Sequence, residues 1–433
     1  MGRETRIVML IWFLAIFLVL LLLNWPVYTT FYLAAVFALL VYLENIPLEI
    51  VVQTSFNTVN VYVLIAVPYF IFAASVISRG GLAKRLVDWA MSIVGSIKGS
   101  LGVATILAAC VFSAISGSSP ATVAALGKIL YPSLLESRYR KTFTLGLVTV
   151  LGGIDLLIPP SITMIVYGSI ANVSVGKLFI AGVVPGLLVG LIYSIYVIGY
   201  AMYDRVPTKG RFEMREVITT TRQGFWTLGV PVVILGGIYT GMFTPTESAA
   251  IASVYSLFIA AVLYREIGLK AIWEIGVETA ELTAQIFIIV AASGIFSWLL
   301  TIGHAPQILS DLVVKADLPN WALLMGINLV LLVAGMFMHP TSITIIFTPL
   351  LMPIITALGV DPIHFGIILT ANIAIGMYTP PFGLNLFVSM ALFKEPMATI
   401  VRGVIPFLVM TLGVLVVLTF VPWFSMWLPN MMK

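Results

Sequence analysis

Ser116-Gly-Ser-Ser-Pro120 interrupts one long apolar run, and His339-Pro-Thr-Ser342 interrupts another. About 40 residues after each interruption comes a Pro-Pro pair, Pro159-Pro160 and Pro380-Pro381. The two neighbourhoods are offset by 221 positions, an offset that also carries Pro132, Gly182 and Pro185 onto Pro353, Gly403 and Pro406. Paired Gly/Pro-interrupted hydrophobic segments in corresponding halves of a chain point to the binding site of a secondary transporter. The repeat therefore bears on fold and function together.

Composition fixes the setting. The 433 residues are 61% hydrophobic and 9% charged, where a soluble domain carries roughly 25% charged residues. A membrane span needs roughly 20 apolar residues. Run counting gives about ten spans plus two apolar hairpins, with no soluble domain left over. The first run, Ile7 to Leu23, exceeds a signal-peptide core and ends in Asn24-Trp25-Pro26, so it reads as an uncleaved first span. Cys110 is the single cysteine and lies in an apolar run, which excludes a disulfide framework and a cysteine metal site. The excess of basic residues sits in short loops, the positive-inside pattern, and forms no stripe for nucleic acid.

The expected fold is an all-α polytopic membrane protein. Spans are expected at 7–23, 26–43 and 58–78, followed by an amphipathic segment at 82–96. A hairpin at 99–135, a broken span at 142–175 with its break at Gly152–Ser161, and a span at 177–203 follow. After a charged connector at 204–222 come spans at 225–241, 246–264 and 281–302, with an amphipathic piece at 265–280. The second copy has an amphipathic piece at 304–317, a hairpin at 320–357, a broken span at 361–393 and a last span at 398–427. This divides the chain into 1–80 (N-terminal scaffold), 81–203 (first repeat), 204–301 (central scaffold and arm) and 302–433 (second repeat).

Charge orients the copies. Arg79, Lys84, Arg85 and Lys98, then Arg138, Arg140 and Lys141, then the connector with five basic and three acidic residues, all fall on one side, read as cytoplasmic. Asp311, Lys315, Asp317 and Asp361 flank the second hairpin, which is neutral to acidic. The two hairpins then open from opposite sides, an inverted repeat. Arg3 and Arg6 fall outside in this count, against the rule.

Backbone exposed at a break inside a membrane must line a cavity or bind something. Helix N-termini favour anions, and free carbonyls with hydroxyls suit a hard cation. The breaks are rich in such groups: Ser116, Ser118, Ser119 and Thr122; Thr341, Ser342 and Thr344; Gly152, Gly153 and Ser161; Gly376, Thr379, Gly383 and Asn385. The competing reading is proline kinks and small-residue helix packing. Asp155 reads as a cation ligand or proton carrier, or as a cap on a broken helix end. His339 reads as a titrating or anion-contacting group, or as a structural hydrogen-bonding one. Glu247, in Thr244-Pro-Thr-Glu247, reads as part of a helix cap, and Lys128 and Lys177 as snorkelling or capping residues. No HExxH, P-loop, Gly-x-Ser-x-Gly or paired intramembrane Asp is present, so neither an enzyme nor an ATPase is indicated.

Phe112-Ser-Ala-Ile-Ser-Gly-Ser-Ser-Pro-Ala-Thr-Val-Ala-Ala125 resembles the first re-entrant hairpin of the large membrane subunit of TRAP (tripartite ATP-independent periplasmic) transporters. Ile158-Pro-Pro-Ser-Ile162, Gly236-Gly-Ile-Tyr-Thr-Gly-Met-Phe-Thr-Pro-Thr-Glu247 and Gly376-Met-Tyr-Thr-Pro-Pro-Phe-Gly-Leu-Asn385 look like its other signature stretches, and the resemblance spans the chain. It implies a sodium-coupled elevator permease of the bacterial or archaeal cytoplasmic membrane, importing an organic acid such as a C4-dicarboxylate or sialic acid. Its expected partners are a small four-helix membrane subunit, not fused here, and a periplasmic substrate-binding protein; no cofactor is expected beyond the coupling ion. Sodium is then assigned to Ser116, Ser118, Gly152, Gly153, Asp155, Pro160, Thr341, Gly376 and Thr379, and substrate to Ser119, Pro120, Ser161, His339, Pro340, Ser342, Pro381 and Asn385. Two positions depart from the family pattern: Asp155 where Gly is usual, and His339 where an acid or a small residue is usual. A stand-alone sodium–anion symporter, and a channel or intramembrane enzyme, are the alternatives.

Overall fold

The computed structural model describes residues 3–23, 25–43, 46–208, 213–305, 307–308 and 318–431. It is helical throughout these residues. The first half comprises α1 (Arg3–Leu22), α2 (Val27–Tyr42), α3 (Glu49–Val59), α4 (Ala66–Arg79), α5 (Leu82–Val94), α6 (Ser100–Ser116), α7 (Ser119–Glu136), α8 (Lys141–Leu157), α9 (Ile162–Ala171) and α10 (Val175–Tyr203). The second half comprises α11 (Met214–Tyr239), α12 (Pro245–Phe258), α13 (Leu269–Ile302), α14 (Asn320–Phe337), α15 (Pro340–Ala357), α16 (Pro362–Gly376), α17 (Leu384–Phe393), α18 (Met397–Phe420) and α19 (Trp423–Met431).

The duplication is visible in the helix bounds. A shift of 221 positions carries α7 onto α15 at both ends, and the start of α8 onto the start of α16. The starts of α6, α9 and α10 fall within one residue of those of α14, α17 and α18. In each copy a helical hairpin precedes an interrupted helix. Both Pro159–Pro160 and Pro380–Pro381 are cis.

Among the described residues eight segments are long and apolar enough to cross a membrane; six match expected spans, and the other two, Asn320–Phe337 and Pro340–Ala357, are the arms of the second hairpin. The four other expected spans fall short because α1, α2, α16 and α17 are apolar along 10–17 residues only, and α11 carries charge in its first turns. The segment Lys141–Ala171, which contains α8 and α9, is the most enclosed, with 94% of its apolar window buried. The helices of its own group are built around it.

Several expected bounds are corrected. The span expected at 58–78 is preceded by a separate helix, α3, that buries no residue. The chain leaves α3 at Asn60, runs extended at Val61 and re-enters through a short 3-10 turn. The amphipathic piece at 265–280 and the span at 281–302 are one helix, α13; the true break is at Arg265–Gly268, where Arg265 adopts positive φ. Residues 225–239 belong to a helix that already starts at Met214, and it ends two residues short of the expected bound at 241. The last span ends at Phe420, because Pro422 removes an N–H that a continued helix needs. The amphipathic segment expected at 304–317, with Asp311, Lys315 and Asp317, lies almost wholly outside the described residues, as do 209–212 of the connector.

Packing sorts the helices into two groups. In one, α1 packs on α2, α13 on α2, α3 and α4, and α12 on α4 and α11. In the other, α8 contacts α6, α7, α16 and α18, while α17 packs on α7 and α15 on α9. The groups meet where α4 touches α6 and α9, where α11 touches α6 and where α13 touches α15, and α5 bridges them by packing on both α6 and α11.

Candidate functional site

The first hairpin turns because three local choices agree. α6 stops at Ser116, Gly117 takes a left-handed φ of 62°, and Ser118 is extended before Pro120 opens α7. Gly117 is needed twice over, since a Cβ there would also lie 2.7 Å from the carbonyl oxygen of Pro160. The tip is therefore pressed against the first helix break. Thr122 donates from its hydroxyl to Asp155 Oδ1 at 2.7 Å and lies 3.3 Å from Ser116 Oγ. Asp155 is fully buried. The Ser113 and Ser116 hydroxyls approach its carboxyl, yet Asp155 Oδ2, Ser113 Oγ and the nearby Ser161 Oγ have no hydrogen-bond partner. Buried oxygens without partners are costly and rare, and each asks for an explanation.

The second hairpin turns at Met338, which is extended, and at His339, the N-cap of α15. The His339 Nδ1 accepts from the Thr341 N–H at 3.4 Å, and Pro340 opens the helix. The second break, 377–383, folds back on itself. The Thr379 hydroxyl donates to Ile375 O at 2.7 Å, and Asn385 N–H donates to Met377 O at 2.8 Å. The Asn385 side chain then crosses to the first copy, its Nδ2 donating to Ser119 Oγ at 2.8 Å. A second cross-link joins Thr149 of α8 to Ser389 of α17 at 2.8 Å.

Between the two helix groups lies a cavity of about 500 Å³, bordered by both hairpin tips. Of the residues singled out from sequence, Ser116, Ser118, Ser119, Pro120, His339, Pro340 and Thr341 line it. Gly152, Gly153, Asp155, Pro160, Ser161, Ser342, Gly376, Thr379, Pro381 and Asn385 do not. Asp155 and Ser161 lie buried behind the first tip, whereas Pro381 is on the surface. Sequence reading missed Ser113, three residues before Ser116 and so on the same helix face. It also missed Arg79 and Glu278, the charged residues of the cavity lining.

Three sequence readings are resolved by this geometry. The first break spans 158–161, so Gly152 and Gly153 are inside α8. Both are closely packed: a Cβ on Gly152 would meet Ser119 Oγ at 2.5 Å, and one on Gly153 would meet the Tyr378 ring at 2.6 Å. Asp155 caps no helix: it lies inside α8, and its side chain goes to Thr122 rather than to a backbone N–H. Glu247 does cap: its carboxylate accepts from Thr244 N–H at 2.7 Å while Thr244 Oγ1 accepts from Glu247 N–H at 3.2 Å. Lys128 and Lys177 are both exposed. Gly376 sits where α16 meets α14, and a Cβ there would lie 2.5 Å from Gly335 Cα.

A multi-helix membrane chain with two interrupted helices and a cavity bounded by two hairpin tips has the architecture of a secondary transporter. The family profile described as "Tripartite ATP-independent periplasmic transporter, DctM component" matches residues 14–424, and the chain belongs to that family. It is thus a transporter component and not an enzyme. The C4-dicarboxylate TRAP transporter large permease protein DctM of Pseudomonas aeruginosa is 44% identical over 87% of this chain and 88% of its own length. The ectoine/5-hydroxyectoine TRAP transporter large permease protein UehC of Ruegeria pomeroyi is 38% identical over 96% of this chain and 97% of its own. Among solved structures, the YdaH transporter of Alcanivorax borkumensis superposes with a TM-score of 0.61 at 13% identity, over 88% of each chain. That likeness concerns the fold alone.

Proposed function

We propose that this chain is the permease subunit of a sodium-coupled TRAP transporter that imports an organic acid across the inner membrane by an elevator motion. The observation that carries the reading is the cavity that both hairpin tips line, placed between the two groups of helices. In an elevator the group with the tips and broken helices, 81–203 and 302–433, slides against a scaffold formed by 1–80 and 204–301. The basic loops support opposite orientations for the two copies, an arrangement that would give such a motion its two end states.

The donors fit sodium. Around the first tip they are oxygens only: the Ser116 and Ser118 backbone and hydroxyls, Thr122, and the unpaired Oδ2 of Asp155. Among the described residues no cluster of three His, Cys, Asp or Glu exists to hold a transition metal. At the second tip the candidates are Thr341, with Gly376 and Thr379 at the adjacent break. Sodium binding there would fix the tips and so couple ion entry to closure over substrate. Ser119, Pro120, His339 and Pro340 border the space in which the acid would lie; Ser161, Ser342, Pro381 and Asn385 would act from behind it.

The relatives' names support an organic acid: C4-dicarboxylate, ectoine, isethionate, 2,3-diketo-L-gulonate and sialic acid permeases all match at 34–44% identity. The isethionate permease DctMQ of Oleidesulfovibrio alaskensis supports a small membrane partner, because this chain covers only 61% of it. The family description as tripartite and periplasmic supports a third component, a binding protein that delivers substrate.

Reconstitution tests the reading. The chain alone in proteoliposomes should move no organic acid, and adding the small subunit, the binding protein and an inward sodium gradient should start uptake. Comparable uptake by the chain alone would select a stand-alone symporter; gradient-independent ion current would select a channel.

A further inference from the structure

Arg79 and Glu278 are the charged side chains among the described residues that line the cavity; the rest of its wall is apolar, hydroxylic or amide, with His339. Arg79 is the last residue of α4, a position where a cation suits the helix dipole. Its guanidinium is divided between two carboxylates one helical turn apart on α13. Nη1 lies 3.0 Å from Glu274 Oε2, and Nη2 lies 2.7 Å from Glu278 Oε2. All three side chains are 40–47% exposed. Exposed ion pairs of this kind contribute little to stability, so exchanging one carboxylate for another is nearly neutral. A guanidinium also matches a free carboxylate with two parallel hydrogen bonds.

We propose that Arg79 is the anchor for a carboxylate of the transported acid at the mouth of the cavity, and that Glu274 and Glu278 compete with the acid for it. This rests on the reading of the chain as an organic-acid permease. The competition has a purpose. A lone guanidinium in the path of an anion would retain it, whereas one already shared between two carboxylates gives the acid a brief foothold. The group as it stands carries one positive and two negative charges, so an arriving acid displaces a glutamate and is in turn displaced. Basic residues flank this end of α4 and α5, which puts Arg79 on the cytoplasmic side of the proposed topology. The foothold therefore serves release.

The competing explanation is that the three residues merely fasten α4 to α13. The two explanations predict different signs. The test is substrate exchange in proteoliposomes holding the full complex, using succinate, ectoine, isethionate, 2,3-diketo-L-gulonate and N-acetylneuraminate as probes. On whichever of these the wild type moves, Arg79→Gln should raise KM on the cytoplasmic side by about tenfold, the loss of one charge-assisted carboxylate contact. Arg79→Lys should recover part of this, because it keeps charge without the fork. Glu278→Gln should do the opposite, lowering KM by about two- to fivefold and slowing maximal exchange as the acid stays longer. KM shifts in the same direction for Arg79→Gln and Glu278→Gln, or none in either, would overturn the proposal. Should Arg79→Gln not assemble, Glu278→Gln and Glu274→Gln decide alone, since an unchanged or raised KM in both refutes competition. No exchange of any probe by the wild type would instead sink the organic-acid reading, and this inference with it.

Discussion

Asp155→Asn separates the two things a buried carboxylate does: it costs stability when unpaired and binds a cation when one is offered. Asp155 is fully buried, with Oδ1 bonded to Thr122 at 2.7 Å and Oδ2 bonded to nothing. Asparagine has nearly the same shape. Its carbonyl oxygen keeps the Thr122 bond, and its amide replaces an unpaired acceptor with a donor beside the hydroxyls of Ser113 and Ser116. Without sodium the variant should therefore be as stable as the wild type or up to about 1 kcal/mol more stable. With sodium the order reverses. A charged ligand lost from an oxygen site costs about 1.5–3 kcal/mol, or about 10- to 150-fold in affinity. At a sodium concentration about 100 times the wild-type dissociation constant, bound ion stabilises the wild type by about 2.7 kcal/mol. A variant about 100-fold weaker would gain only about 0.4 kcal/mol from the same sodium.

The assay is thermal unfolding of the purified chain in detergent across a sodium series, with choline as the ionic-strength control. The wild-type melting temperature should climb with sodium, and that of Asp155→Asn should stay nearly flat from an equal or higher start. A variant that retains the full sodium-dependent rise would refute the assignment of Asp155 as a ligand. A variant that melts far lower in choline would show instead that the carboxylate holds the fold.

Two further outcomes follow from the same geometry. Ser118→Val and Thr379→Val should each shift the sodium activation curve of uptake to higher concentration while membrane insertion stays intact; the Thr379 variant also loses its bond to Ile375 O, so its shift should be accompanied by a lower melting temperature. Wild-type activation curves in both would remove hydroxyls from the ion sites. Gly403→Ala should destabilise by about 1–3 kcal/mol or more, because a Cβ there meets backbone at Thr142 and Gly146 of α8, which cannot yield as a side chain does. Gly413→Ala, with open space around it, is the control; equal melting temperatures for the two would show that α8 and α18 pack less tightly than described.

The breaks were legible because their signal is local. Ser116–Pro120 and His339–Ser342 combine residues that stop one helix and start the next, and the structure turns at both places. Thr244 and Glu247 were legible for the same reason, since a capping box is complete within four residues. Gly152 and Gly153 were misplaced because glycine serves both at a break and at a close approach. What decides between these roles is Ser119, Asn385 and Tyr378, all distant in sequence. The first turns of α13 read from sequence as a separate arm because Glu274 and Glu278 look like surface charge, and only folding shows that both reach Arg79. Arg79 itself counted as one more positive loop residue until the cavity wall was assembled around it.

The two copies agree in backbone and differ in chemistry, and the difference falls at the sites. The offset that superposes α7 on α15 carries Asp155 onto Gly376, Thr122 onto Ile343 and Ser118 onto His339. In the first copy the middle of the broken helix thus holds a carboxylate bonded to a threonine on the hairpin. In the second, the same position is a glycine in backbone contact with Gly335 of its own hairpin, with no room for any side chain. A carboxylate could not be moved there without forcing α14 and α16 apart, whereas glycine at 155 would leave only a small cavity behind Thr122. Asp155 thus sits in the copy whose packing admits a side chain at that position. Two ion positions built on such a frame would be unequal, one relying on backbone and hydroxyl oxygens, the other adding a full negative charge. The sodium dependence of the whole transporter should then be dominated, at low concentration, by the site in the first copy.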